Sequence, residues 1–113
     1  MVMIVDDNSG MREAIKASLA NSLSEFCECS DGSQALSMYA QYLPTWVLMD
    51  IRMATMDGIA ATRAIKESFP AARIVIVTNY DDKALREEAM QAGAMGFVLK
   101  DDLSLLLNVI GKP

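Results

Sequence analysis

Asp6 and Asp7, Asp50, Thr78 and Lys100 all stand at the ends of short apolar runs, namely Val2–Val5, Trp46–Met49, Arg73–Val77 and Gly96–Leu99. If each run is a strand of one parallel sheet, right-handed crossovers carry all of these ends to the same edge. In open α/β sheets that edge is where ligands bind. Three carboxylates, one hydroxyl and one ammonium would then converge from four separate segments. Carboxylates packed this closely repel one another and must either protonate or recruit a cation. An all-oxygen set favours a hard ion, and Mg²⁺ is the obvious candidate. The chain has no histidine and only two cysteines, which excludes zinc sites of Cys and His and any Ser-His or Cys-His catalytic pair. Asp57, Asp81 and Asp82 lie where helix N-caps are needed and are read as caps instead.

The elements that must position these groups follow from the alternation of apolar runs with amphipathic ones. Ser9 is placed to cap a helix with Met11, Ile15 and Leu19 inward and Arg12, Glu13 and Lys16 outward. Glu25 to Ser30 alternates like an edge strand, which puts Cys27 and Cys29 on one side as small buried hydrophobes of a reducing compartment. Asp31-Gly32-Ser33 opens a helix carrying Leu36, Tyr39 and Ala40 that ends before Pro44. Asp57 or a neighbour starts a helix with Ala61, Ile65 and Phe69 on one side, closed by Pro70. Asp81 or Asp82 caps another with Leu85, Ala89 and Ala92 inward, ended by Gly93. Asp102 opens the last helix, with Leu103, Leu106, Leu107 and Ile110 on the sheet and Leu105 and Val109 on an adjoining, weakly charged stripe. Five strands and five helices in strict alternation predict an α/β fold, a doubly wound parallel sheet with helices on both faces.

Composition narrows the class further. The 113 residues suit one domain, 1–113, and at 52% hydrophobic they are too apolar for disorder. No apolar run approaches the roughly 18 residues that cross a membrane. Met1 to Asp7 lacks the basic flank of a signal peptide. A net charge of -5, with ten basic residues spread along the chain, argues against direct contact with nucleic acid. The expectation is a soluble cytoplasmic protein.

The segments MIVDDN, VLMDIRMATMDG, IVIVTNYDD and GFVLKDD resemble the receiver (CheY-like) domain of two-component response regulators. The likeness runs over essentially the whole chain and is nearest to receivers that precede LuxR-type helix-turn-helix output domains. It implies a five-stranded, flavodoxin-like sheet of order 2-1-3-4-5. It also implies that Asp50 is the phospho-acceptor, that Asp6, Asp7, Asp50 and the backbone carbonyl of Arg52 hold Mg²⁺, and that Thr78 and Lys100 bind phosphoryl oxygens. Phe97 would be the aromatic that changes position on activation. A sensor histidine kinase would be the phosphodonor, and the chain would catalyse only its own aspartyl phosphorylation and dephosphorylation. The signal would pass to an output domain beyond Pro113 or to a partner, with transcription as the output and a phosphorylation-enhanced homodimer through Leu105 and Val109. Two positions depart from the family pattern: Ala54 stands where a proline is usual, and Asn79 is bulkier than the usual Ala or Gly.

Two other readings share the architecture. A flavodoxin-like cofactor binder would need a Ser/Thr/Gly-rich phosphate loop after the first strand, where this chain has Asp6-Asp7-Asn8, and a cobalamin site would need a histidine. A Mg²⁺-dependent phosphatase with an aspartate nucleophile would space its first two aspartates two apart, whereas Asp6 and Asp7 are adjacent.

Overall fold

The computed structural model describes residues 1–20, 25–53 and 55–110. Among them are five strands, β1 (Val2–Val5), β2 (Phe26–Cys29), β3 (Trp46–Met49), β4 (Ile74–Thr78) and β5 (Gly96–Leu99). They alternate with helices α1 (Ser9–Leu19), α2 (Ala35–Tyr42), α3 (Gly58–Ser68), α4 (Lys83–Ala92) and α5 (Leu106–Ile110). All strand pairs are parallel, in the order β2-β1-β3-β4-β5, as the sequence and its resemblance imply.

The apolar runs are unbroken because the central strands are covered twice. Met3, Val5, Val47, Met49, Ile74 and Ile76 pack on one face with Tyr39 of α2, Ile65 of α3 and Ala89 of α4. Val2, Ile4, Leu48, Val75 and Val77 pack on the other with Ile15 and Leu19 of α1 and Leu106 and Ile110 of α5. Neighbouring residues therefore serve opposite cores, and a polar side chain within these strands would lose about 1.5–3 kcal/mol of burial on either side. The first polar residue that β1, β3 and β4 can carry is therefore at the strand end. Cys29 is buried and Cys27 half-buried, both free thiols packed on the first of these cores. No helix among the described residues is long and apolar enough to cross a membrane.

Several helix starts differ from the sequence reading. Asn8, not Ser9, caps α1: its backbone is extended and its side chain accepts from the Met11 N–H at 2.9 Å. Arg12 and Lys16 are half-buried rather than outward, because Glu28 on neighbouring β2 pairs with them at 2.8 and 3.0 Å. Asp31 caps a single 3-10 turn, Gly32–Gln34, that leads into α2, and Ala40 is exposed while Ala35 and Tyr39 carry the buried side. Asp57 and Asp82 cap α3 and α4 through the Ala60 and Leu85 amides, whereas Asp81 pairs with Arg86 at 3.1 Å. Asp102 does not open α5. Its carboxylate accepts from the Ser104 hydroxyl at 2.7 Å, and its backbone breaks a 3-10 stretch over Lys100–Leu105, so α5 begins at Leu106.

The last helix otherwise packs as its spacing predicts. Leu106 and Ile110 are buried, and Leu103 and Leu107 lie against the same core. Leu105 and Val109 remain 42% and 37% exposed. Ala54 and Pro113 lie outside the described residues.

Candidate functional site

Strand register brings the acids together. Val5 is level with Cys29 on one side and Met49 on the other, so Asp6 and Asp50 are neighbours one residue beyond. The Asp6 amide donates to the Cys29 carbonyl and the Asp50 amide to the Val5 carbonyl, which extends the ladder past the strands and fixes both backbones. Asp6 is 1% exposed and Asp50 6%, while Asp7 is open to solvent. Oxygens from Asp6, Asp7 and Asp50 lie within 4.8 Å of one another. Lys100 reaches across from the end of β5, with Nζ 2.9 Å from Asp6 Oδ2 and 3.4 Å from Asp50 Oδ1.

One ammonium faces three carboxylates, and the imbalance shows in the electrostatics. Burial, and next the charge of Asp6, push Asp50 up to about 6, against the opposing pull of Lys100 and the Ile51 N–H. For Lys100, burial alone would lower the pKa. The close ion pair with Asp6 and the charges of Asp50 and Asp6 outweigh it, so the pKa is raised and the group stays an ammonium. Asp6 Oδ1 accepts from the Asn8 amide at 2.9 Å. Oδ2 is within ion-pair distance of Lys100, yet it is buried with no partner in hydrogen-bonding geometry. A buried, underserved oxygen in an all-carboxylate cluster of excess negative charge is what a divalent hard cation would satisfy.

The chain beyond Asp50 is folded tightly against it. Gly58 donates its N–H to the Ile51 carbonyl at 2.7 Å, and a Cβ at residue 58 would stand 1.8 Å from the Asp50 carbonyl oxygen, so only glycine fits. Arg52 lies in this loop, two residues past Asp50. Its side chain is exposed, with the guanidinium 4.6 Å from the centre of the Tyr80 ring. Thr78 is fully buried at the end of β4, level with Leu99 and therefore next to Lys100. Its Oγ1 accepts from the Tyr80 amide at 3.2 Å. Phe97 is half-buried two residues before Leu99, facing α4, and Arg86 lies 4.9 Å over its ring. Asn79 is exposed just past Thr78.

The structure thus brings Asp6, Asp7, Asp50 and Lys100 into one pocket, places Thr78 beside Leu99 at the end of β4 and the Arg52 side chain on Tyr80, and leaves Phe97 lower on β5. Three contributors escaped the sequence reading. Arg12 donates to the Asp6 carbonyl oxygen, at 2.6 Å, from a helix position that its spacing marked as outward. Arg86 stacks on Phe97 from α4. Asp31 accepts from the amides of Thr55 and Met56, 24 and 25 residues away, and nothing in its local sequence announces this.

Against known proteins, the family model for the response regulator receiver domain matches residues 2–110. The chain belongs to that family. It is 38% identical over 100 residues to the chemotaxis protein CheY of Bacillus subtilis, covering 88% of this chain and 83% of that one. It is 34% identical over 102 residues to the probable transcriptional regulatory protein NarL of Mycobacterium tuberculosis, covering 88% of this chain but 47% of that longer one. Among solved structures, a LuxR-family two-component response regulator from Aurantimonas sp. SI85-9A1 superposes with a TM-score of 0.87 at 34% identity, covering 96% of this chain and 80% of the other. Receivers are phosphoryl-accepting modules of two-component signalling, phosphorylated by histidine kinases and generally binding Mg²⁺ in an acidic pocket, and this chain carries the acidic cluster of such a pocket.

Proposed function

We propose that this chain is a phosphorylation-dependent switch in which Asp50 takes a phosphoryl group from a sensor histidine kinase. The observation that supports this most is the pocket itself: three carboxylates and Lys100 converging at the carboxyl edge of the sheet, with Asp50 at the end of its central strand. Asp6, Asp7, Asp50 and the backbone carbonyl of Arg52 would hold Mg²⁺. Bound there, the ion supplies two positive charges against the repulsion between carboxylate and phosphoryl oxygens.

The chain's own groups do the rest. A carboxylate oxygen of Asp50 attacks phosphorus, the P–O bond forms as the P–N bond to the donor imidazole breaks, and the leaving nitrogen takes a proton. Buried among few donors, the Asp50 carboxylate has little solvent to shed before it reacts. Lys100, already beside Asp50, pairs with a phosphoryl oxygen as charge builds. The Thr78 hydroxyl donates to another and in doing so shifts the segment that carries Tyr80. Phe97 follows inward from its place beneath Arg86. A phosphoryl group can bias such an equilibrium only through contacts better made in one state, and Thr78 and Lys100 supply them. In this reading the chain acts on no external substrate and catalyses only its own phosphorylation and dephosphorylation.

The likeness to NarL, which this chain spans for about half of its length, supports a transcriptional output through a separate domain or partner. The acidic receiver itself would not touch nucleic acid and would work in the cytoplasm. The exposed Leu105 and Val109 side chains offer a modest apolar stripe for a phosphorylation-enhanced homodimer. Sedimentation with and without beryllofluoride tests it, and an unchanged mass removes it. The main reading is tested by incubation with phosphoramidate, with Mg²⁺ or with EDTA, followed by intact mass. One phosphoryl group gained in Mg²⁺ alone is expected. Failure to gain any, or steady hydrolysis of diverse phosphate esters, would contradict it.

A further inference from the structure

The loop that carries Arg52 is restrained at its base by the Gly58–Ile51 hydrogen bond and at one side by the stack of Arg52 on Tyr80. Its far end is held by a residue from another part of the chain. Asp31 Oδ2 accepts from the Thr55 amide at 3.0 Å, and Oδ1 accepts from the amides of Met56 at 3.2 Å and Ser33 at 3.0 Å. The neighbouring backbone fits just as closely, since a Cβ on Gly32 would stand 2.4 Å from the Met56 carbonyl oxygen. Two loops, one after β2 and one after β3, are therefore joined backbone to backbone through a single carboxylate.

We infer that Asp31 is a positioning residue for the metal pocket, fixing the loop that presents the Arg52 carbonyl from outside the set of ligands. The inference rests on the reading of the pocket as a Mg²⁺ site. Residues 51–57 contain no proline, so the loop has no covalent stiffening of its own. A carbonyl ligand must be held to within a few tenths of an ångström for Mg²⁺, which tolerates little departure from octahedral geometry. Bonds from amides to an ionised carboxylate are about twice as strong as neutral ones. The Ser33 amide most of all, opposed next by burial and then aided by Thr55 and Met56, holds Asp31 down to about 2, so the clamp keeps its charge throughout the neutral range.

The test compares wild type, Asp31→Ala and Asp31→Asn. Mg²⁺ affinity is measured by calorimetry without any phosphodonor, folding by thermal melting, and phosphoramidate labelling as a function of Mg²⁺ concentration. Loss of such an outer partner commonly weakens metal binding by about tenfold, and that loss is expected for Asp31→Ala. Asp31→Asn, which keeps one oxygen acceptor but no charge, should fall between. Labelling should need correspondingly more Mg²⁺ yet return to the wild-type rate at saturation, because no reacting group is touched. Faster amide exchange at Thr55 and Met56 should accompany the loss. Unchanged Mg²⁺ affinity in a folded variant, even with a lower melting temperature, would make the clamp merely structural and overturn the inference. If Asp31→Ala does not fold, Asp31→Asn alone decides in the same way. A wild type that neither binds Mg²⁺ nor takes a phosphoryl group would overturn the reading beneath it.

Discussion

Asp50 and Asp31 sit in loops that meet at the same end of the sheet, and their surroundings treat them in opposite ways. Asp50 is buried beside another acid with one backbone donor and a shared ammonium, and is pushed up to about 6. Asp31 accepts from three backbone amides and is held at about 2. The second carboxylate is well supplied with donors, with both of its oxygens engaged by backbone amides. The first is short of partners and buried beside another acid, which makes it costly to keep ionised in the absence of a cation. Burial and a neighbouring charge raise the one acid, and a supply of backbone donors lowers the other.

The largest expected effect comes from removing the starved acid. Asp50→Asn should abolish phosphoryl uptake, seen as no mass gain with phosphoramidate and Mg²⁺, yet it should stabilise the metal-free fold. The sign follows from linkage: a folded pKa raised from about 3.9 to about 6 means that protonation favours the folded state. That contribution is fully present below about pH 3.9 and lost as pH rises through 6. Above pH 7 in EDTA the variant should gain on the order of 2 kcal/mol over wild type, and the gap should close on acidification. Chemical denaturation across pH reads this directly, and a variant less stable than wild type at pH 7.5 would break the contrast.

Next in size is the difference between the two leading acids. Asp7→Asn should weaken Mg²⁺ binding more than Asp6→Asn, because Asp7, open to solvent, would touch the ion directly whereas the buried Asp6 would act on it through water. Calorimetry giving equal losses would contradict these roles. Asp31 should behave as the mirror of Asp50 in its pH dependence. Its pKa is lowered, so the stability it adds is complete above about pH 4 and lost only as pH falls through about 2. The gap between wild type and Asp31→Asn should stay level from pH 8 to 5 by denaturant melts, and a gap that widens on acidification in that range would refute the clamp. The smallest contrast lies between the adjacent acids that precede α4. Asp82→Ala removes a helix cap and should cost about 1 kcal/mol. Asp81→Ala breaks an exposed pair with Arg86 and should cost at most about 0.5 kcal/mol.

The strand-end acids were legible because an unbroken apolar run must end where the sheet ends, so Asp6, Asp50 and Lys100 had to stand at one edge once the strands were parallel. Strands β1, β3 and β5 even keep the bounds that their sequence suggests. Helix starts were less legible, since several polar residues in a row can cap. Asn8 took the place expected of Ser9, and a side-chain bond from Ser104 drew Asp102 away from capping α5. Strand order came from the family likeness, because the hydrophobic pattern says which segments are strands but not which ones pair. The clamp at Asp31 was hidden for another reason. Its partners are backbone amides, which every residue carries, so no side-chain type at 55 or 56 marks the contact.

The central claim is that Asp50 alone carries the phosphoryl group. Wild-type protein labelled with phosphoramidate and Mg²⁺ can be trapped with borohydride, which reduces the acyl phosphate to the alcohol of homoserine, and the modified residue then located by peptide mass spectrometry. The account predicts homoserine at position 50 and nowhere else. Reduction at Asp6 or Asp7, or none at all in protein that has gained a phosphoryl group, would contradict it.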